Sequence, residues 1–461
     1  MPPTNITTAG VPAAQLLEKY NVAVPRYTSY PTVPVWQDYL DVDSWKNNIQ
    51  IAVAEDKEIC VYIHLPFCES LCTYCGCTKK ITTNHAVEPE YIKAVLKEWQ
   101  MYVDLMPVKP VIKELHLGGG TPTFFSPEHL KLLLEKLFSM AEVAEDHEFS
   151  IEGHPNNTTT KHLQVLYDLG FRRVSFGVQE NDPEIQKVIN RIQPFENVAR
   201  ATNEARRIGF TSVNFDLIYG LPFQTKKTIQ ATLKQCLTLK PDRIAFYSYA
   251  HVPWKSRVQR LFDEHDLPSA EEKMELYVSG KKIFVENGYT EIGMDHFSLP
   301  DDDLTIAMNE GRLFRNFMGY TINDTKVSIG LGMSAISDTG NAFAQNEKAL
   351  SDYYKALAVN RLPVTKGIFL TETDVHFRQY ILDVSCNNNT IFREDDRSIL
   401  EQCCFDQFKS LQKDGLITFD KKGLQVTPIG KHFIRNICSA FDLHLAGANV
   451  VNSKPVFSKA I

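Results

Sequence analysis

No stretch of the 461 residues approaches the roughly 20 consecutive apolar positions that a membrane-spanning helix needs. The N-terminus, MPPTNITTAGVPAAQ, lacks a basic region followed by an apolar run, so it does not read as a secretory signal. Positive charge is not in excess: 49 Lys and Arg face 56 Asp and Glu, a net charge of −7. That removes a general electrostatic grip on nucleic acid. There is no low-complexity linker. Cysteine is scarce, ten in all, and four fall in one short stretch, CESLCTYCGC at 68–77. These absences predict a cytoplasmic protein with neither a membrane nor a nucleic acid as partner; a monomer is the expectation for its oligomeric state, which no motif encodes. In that compartment thiols stay reduced, so a disulfide knot is disfavoured and clustered cysteines bind metal or do chemistry.

What is present is a rhythm. Short runs rich in β-formers recur at EICVYIHL (58–65), IKELHLGGG (112–120), EFSIEG (148–153), RRVSFGVQ (172–179), TSVNFDLIYG (211–220) and RIAFYSYA (243–250). Amphipathic stretches such as 127–140 and 225–239 lie between them. Continuous apolar runs alternating with helices predict βα units and a parallel sheet, here six units, short of the eight of a complete barrel. Past residue 370 helical text surrounds DGLITFDKKGLQVTPIG (414–430), where two β-like runs flank a turn at Asp420–Gly423. Helices with such a hairpin suggest a winged-helix-like module. Without a basic cluster on its candidate recognition helix, packing is the favoured role over nucleic-acid binding.

The cysteines are spaced Cys68-x3-Cys72-x2-Cys75-x-Cys77, directly after the first strand. Loops at the C-terminal ends of parallel strands form the active-site face of such folds. A structural zinc commonly takes two separated C-x2-C pairs, and there is no second pair here. Soft thiolates also suit iron. Three cysteines on one loop can hold three corners of a [4Fe–4S] cube and leave the fourth iron open, and an open position means chemistry.

C-x3-C-x2-C after a first strand resembles the signature of radical S-adenosylmethionine (SAM) enzymes. More text matches in order: PRYTSYPT (25–32), YIHLPFC (62–68), CGC (75–77), GGGTPT (118–123), GVQ (177–179), NR (190–191), DLIYGLP (216–222), YAH (249–251), GMDHF (293–297) and GLGMSAIS (330–337). Together they resemble the oxygen-independent coproporphyrinogen III oxidases. The resemblance implies an α/β fold: an N-terminal extension (1–50) contributing to the substrate site, a partial (β/α)6 radical SAM barrel with its extension (51–365), and a mainly helical, winged-helix-like C-terminal domain (366–461). It implies anaerobic oxidative decarboxylation of the ring A and B propionates of coproporphyrinogen III to vinyl groups, giving protoporphyrinogen IX. The cofactors implied are a [4Fe–4S] cluster and two SAM molecules per turnover, with an electron donor and acceptor that the text does not name. Haem-binding chaperones of the same family are the alternative, but those relatives usually lack PRYTSYPT and carry C-x-F in place of Cys75-x-Cys77.

By the same resemblance Cys68, Cys72 and Cys75 hold the cluster, and Cys77 is needed for activity without being a ligand. Gly119, Gly120, Thr121 and Glu152 are SAM contacts, and Tyr62 and Ile336 fall to the first SAM, with Tyr62 also supporting catalysis. Tyr74, Gln179, Arg191, Asp216 and Ala250 fall to the second. On its own a triple glycine is more often a turn. His154 stands after Glu152 where relatives commonly carry aspartate. A substrate with four carboxylates on an apolar macrocycle calls for arginines. Arg26 is the first candidate for propionate recognition, and His296 a weaker one.

Overall fold

The first predicted strand is buried on both faces. Ile59, Val61, Ile63 and Leu65 on one side are completely buried, each contributing about 2 kcal/mol of apolar burial. Cys60, Tyr62 and His64 occupy the other side, as period-two alternation dictates. The computed structural model describes residues 11–254, 256–322, 325–445 and 457–461. Its principal strands in chain order are β1 (Glu58–Leu65), β2 (Val111–Gly119), β3 (Glu142–Gly153), β4 (Arg173–Gln179), β5 (Ser212–Tyr219), β6 (Arg243–Ser248), β7 (Thr290–Ile292), β8 (His296–Ser298), β9 (Val327–Leu331), β10 (Ile336–Asp338), β11 (Ala342–Asn346) and β12 (Val364–Phe369). A helix follows each of the first six: Glu88–Leu105, Pro127–Ser139, Thr160–Asp168, Phe195–Ile208, Lys226–Leu237 and Ala270–Glu286. The βα rhythm is therefore as the sequence predicts.

The chain divides into two compact units, and β5 carries it from one into the other. The first comprises 36–216 and 325–369. Its sheet runs β12-β11-β10-β9-β1-β2-β3-β4-β5. β1 pairs parallel with both β2 and β9, and β3 pairs parallel with β2 and β4. β10 to β12 continue antiparallel. The register sets Tyr62 beside His116 and His116 beside Ser150. Polar residues thus form a row across the same face, three residues before the strand ends. Helix Glu88–Leu105 covers the opposite face with Tyr91, Val95, Trp99 and Tyr102, all completely buried. Ser126 caps the next helix, accepting from the His129 amide, with Pro127 in its first turn.

The second unit comprises 11–35, 217–322 and 370–461 within the described residues. β6, β8 and β7 form an antiparallel set, and helix Ala270–Glu286 packs on Lys226–Leu237. After residue 370 come helices Glu372–Asn387, Arg397–Cys403, Phe405–Lys413 and Ile434–Ser439. They surround a three-stranded antiparallel sheet of Asn389–Ile391, Gly423–Val426 and Ile417–Phe419. The expected hairpin is there, and Phe392, Phe408 and Phe441 fill the space beneath it. Among the described residues no helix is long and apolar enough to cross a membrane.

Candidate active site

Residues 67–82 form a loop closed at its base. Phe67–Cys68 pairs with Lys80–Ile81, the Lys80 amide donates to Pro66 O at 2.8 Å, and the Thr82 amide to Cys68 O at 2.9 Å. Further along, the Thr73 amide donates to Ile189 O and Asn190 Nδ2 to Leu71 O. The four clustered thiols are thereby presented on a fixed frame. All ten cysteines are free. Among the described residues no three His, Cys, Asp or Glu side chains converge on a point as one zinc ion requires. Cysteines that each bind a different iron of a cubane need not converge.

Each expected ligand meets a polar partner. Thr121 Oγ1 donates to Cys68 Sγ at 3.3 Å, and Arg191 Nη1 to Cys72 Sγ at 3.7 Å. Cys75 is held below the usual thiol range, chiefly by a hydrogen bond from Cys77, with Lys79 adding positive charge. Cys77 keeps its proton, because the same bond opposes its ionisation. Lys79 Nζ also ties down the carbonyls of Cys75 and Cys77 at 3.1 and 3.2 Å. This donor set suits a thiolate-bound, electron-rich group.

Beside the loop, Tyr62 donates to His64 Nδ1 at 3.0 Å, and His64 Nε2 donates to Thr78 O at 2.8 Å. The carbonyl can only accept, which fixes the tautomer. Burial lowers the His64 pKa and keeps the ring neutral. Tyr62 stacks on His116 with centroids 5.9 Å apart. His116 in turn reaches Ser150 Oγ at 2.7 Å and Glu152 Oε1 at 3.4 Å, and the Gly119 amide donates to Glu152 Oε2 at 3.2 Å. Burial opposes ionisation of Glu152, but His116 and the Gly119 amide outweigh it, so the carboxyl lies below its ordinary value.

The glycine run ends β2 where the strand presses on β1. A Cβ on Gly119, whose φ is +115°, would meet the His64 ring at 2.7 Å, and one on Gly120 would meet Pro66 O at 2.5 Å. Gly118 would meet Tyr62 at 3.0 Å. Close approach to neighbouring strands is the visible reason for the glycines. Ile336 opens β10, and its carbonyl sits where a Cβ on Gly330 would fall, at 2.4 Å.

Tyr74, Gln179 and Arg191 gather near Cys72. Arg191 Nη2 donates to Gly177 O at 2.5 Å, and Gln179 has a positive φ of 66° that ends β4. Tyr74 lies close enough to Arg191 and Cys72 to sense both charges. Asp216 on β5 accepts from Ser175 Oγ and Asn214 Nδ2, each at 2.9 Å. His154 is half-buried and held neutral, its pKa pulled down to about 3 by desolvation and by Arg191.

Ala250 and Arg26 belong to the other unit. The Ala250 carbonyl accepts from Gln259, and Arg26 Nη2 donates to Ser248 O at 2.7 Å. His296 there is hydrogen-bonded to Asp295 at 2.7 Å. Arg26 lines a cavity with Arg315, Arg435 and Asp295.

Sequence reasoning passed over His116 and Glu98. His116 stands two residues before Gly118 on the face of Tyr62, so alternation carried the signal. Glu98 is completely buried and accepts from the Gly332 amide (2.8 Å), Asn346 Nδ2 (2.6 Å) and Tyr353 OH (2.7 Å), pinning the turn between β9 and β10.

Residues 62–236 match the radical SAM superfamily model. A curated coproporphyrinogen III oxidase of the oxygen-independent type from Synechocystis is 36% identical over 97% of this chain and 98% of its own length. The chain belongs to the oxygen-independent coproporphyrinogen III oxidases. The Escherichia coli K12 member is 38% identical over 93% of this chain and 95% of its own. The solved coproporphyrinogen III oxidase from Escherichia coli, described as a radical SAM enzyme, superposes with a TM-score of 0.87 at 36% identity, covering 94% of this chain and all of that one. The fold is thus that of this family of oxidoreductases, as the motif order implied, and a SAM molecule and a [4Fe–4S] cluster go with the family's chemistry.

Proposed function

We propose that this chain, as a cytoplasmic monomer, oxidatively decarboxylates the ring A and B propionates of coproporphyrinogen III to vinyl groups, releasing carbon dioxide twice and giving protoporphyrinogen IX. Cys68, Cys72 and Cys75 hold three irons of a [4Fe–4S] cluster and leave the fourth for SAM. When bound, these cofactors supply a 5′-deoxyadenosyl radical that takes a hydrogen from the propionate β-carbon, after which carbon dioxide and one electron, passed to an acceptor, leave the alkene. An external one-electron donor starts each cycle, and two SAM molecules serve the two rings.

The chain's own residues orient and exclude. Glu152, kept ionised by His116 and the Gly119 amide, accepts from the amine or ribose of SAM, beside Gly119, Gly120 and Thr121, and Ile336 lies at the first SAM. Tyr62 is fixed by His64 and lends a neutral hydroxyl and a ring wall. Arg191 clamps the carboxylate of the second SAM, with Tyr74, Gln179 and Asp216 around it. Arg26 contributes positive charge toward a propionate. Cys77 donates to Cys75 and so tunes one corner of the cluster without binding iron.

The observation that carries this reading is the closed loop of thiols, each with its donor, beside the Tyr62–His116–Glu152 row. The test is anaerobic reconstitution with iron and sulfide, then incubation with SAM, reductant and coproporphyrinogen III. Protoporphyrinogen is the expected product, lost when Cys68, Cys72 or Cys75 becomes alanine. Tight haem binding without turnover would instead make the chain a haem chaperone.

A further inference from the structure

Four consecutive backbone carbonyls of the N-terminal segment, those of residues 24–27, are each taken by a guanidinium from elsewhere in the same unit. Arg435, in helix Ile434–Ser439, donates Nε to Pro25 O at 3.1 Å and Nη2 to Val24 O. Arg315 donates Nη1 to Arg26 O at 2.9 Å and to Tyr27 O at 2.8 Å. Its guanidinium lies over the Tyr320 ring, 5.4 Å from the centroid, which seats it. Tyr27 has a left-handed φ of 50°, a conformation that a bulky side chain keeps only where its surroundings fix it. The backbone that carries Arg26 is thus fixed on both sides of that residue.

The Arg26 side chain is half-buried and held at one point, Nη2 donating to Ser248 O at 2.7 Å. Its Nε and Nη1 make no bond among the described residues and keep accessible surface. Arg26 and its two supporting arginines line a cavity of about 70 Å³. That volume takes a carboxylate or a few waters and is too small for a macrocycle. Around it Arg26, Arg315, Lys431 and Arg435 meet one carboxylate side chain, Asp295. Asp295 is already engaged by His296 at 2.7 Å, and the Ile461 oxygen at the cavity edge accepts from Lys273 at 3.2 Å. A neutral N–H is enough to satisfy a carbonyl. Two guanidinium groups used for that purpose leave positive charge that Asp295 alone does not balance. Burial and then the charge of Arg26 bring the Arg435 pKa down to about 9, in keeping with that surplus.

We propose that this cavity is a subsite for one carboxylate of the substrate: Arg26 donates to it, and Arg315 and Arg435 are positioning residues that fix the Arg26 backbone and add to the positive field. A propionate reaches such a recess on its own two-carbon arm while the ring system stays outside. This rests on the functional reading above, from which the tetracarboxylate comes. It adds the place of one carboxylate and two residues that act through Arg26.

The test uses the reconstituted full chain without air and coproporphyrin III, the fluorescent oxidised form of the tetracarboxylate, as probe. Arg26→Gln is expected to raise the Kd for coproporphyrin III about tenfold, the scale of one hydrogen bond to a charged group, and to weaken the salt dependence of binding. Arg315→Lys keeps the charge but loses the rigid fork that spans two carbonyls, and it should raise the same Kd by about threefold or more. The double variant should bind no more weakly than Arg26→Gln alone, because Arg315 acts through Arg26. Iron content and SAM affinity stay at wild-type values in all three. Coproporphyrin binding and turnover unchanged in Arg26→Gln overturn the subsite and leave the activity standing. Equal losses of SAM and coproporphyrin affinity overturn it as well, since the damage is then general. Losses that add in the double variant overturn the positioning role, because a merely structural effect of Arg315 does not vanish with Arg26. A wild-type chain that neither binds coproporphyrin III nor turns over substrate defeats the functional reading itself. If Arg315→Lys does not fold, Arg435→Lys takes its place in the cycle.

Discussion

Glu98 couples the stability of this protein to pH, and the size of the coupling follows from its surroundings. The side chain is completely buried, and burial pushes its carboxyl from an ordinary 4.5 up to about 7, against the pull of the Gly332 amide, Tyr353 and Asn346. A carboxyl whose folded pKa is raised favours folding fully below its unfolded value. The contribution is then lost as pH rises through the folded value. The gap between 4.5 and about 7, at about 1.4 kcal/mol per pH unit, is about 3 kcal/mol. The perturbation is Glu98→Gln, which keeps the shape and cannot ionise. Unfolding of wild type and variant is followed anaerobically by circular dichroism from pH 5 to pH 8.5. The absolute offset between them mixes several effects, since the amide cannot satisfy both Gly332 and Asn346 in the same way. The slope does not. Wild type should lose about 2.5 kcal/mol more than Glu98→Gln across that window, mostly between pH 5 and 7.5, the rest of the coupling lying below pH 5. With an unfolding entropy of about 2.1 cal/mol/K per residue, that is about 3 °C in Tm. Parallel curves would refute the reasoning and show that Glu98 ionises freely in the fold.

Thr121→Val removes the hydroxyl donor to Cys68 while keeping its bulk. A donor on a cluster sulfur favours the reduced, more negative state, so the variant's cluster should have a lower reduction potential in an EPR-monitored titration, and Thr121→Ser should restore it. His64→Ala leaves Thr78 O and Tyr62 OH without their partner. Hydrogen exchange at 78–80 should rise by a factor corresponding to about 1–3 kcal/mol of lost protection. Gly119→Ala places a methyl against the His64 ring at a positive φ. Thermal unfolding should show a loss of at least about 1 kcal/mol, together with weaker SAM binding. Cys77→Ser should retain iron near wild-type content while Cys75→Ala does not, measured by iron analysis after reconstitution.

Much of this architecture was legible because the signals were local. β1 matches its apolar run residue for residue, and the other five predicted strands fall within a few residues of their positions, except that β3 begins six residues early. Buried parallel strands leave uninterrupted Val, Ile and Leu, which needs no partner to be read. β9 to β12 were not legible as a sheet extension. They are three to six residues long, carry Ser, Asp, Asn and Gly, and owe their strand form to pairing with β1 and with one another. The missing Cβ atoms of the glycine run face Tyr62, His64 and Pro66, contacts that depend on which strand is neighbour. Glu98 did leave a trace. It sits three residues after Val95 and four before Tyr102, a charge at an apolar position of an amphipathic helix. Nothing in the text reveals what it binds, since Gly332 and Asn346 lie far along the chain.

The short clasp of Phe67–Cys68 with Lys80–Ile81 has a bearing on how the enzyme survives oxygen. If this loop carries the proposed cluster, its loss would free three cysteine side chains but leave the backbone stitched at its base and moored to residues 189 and 190. Repair would then be delivery of iron and sulfide to a frame already formed, with no need to fold the strands again.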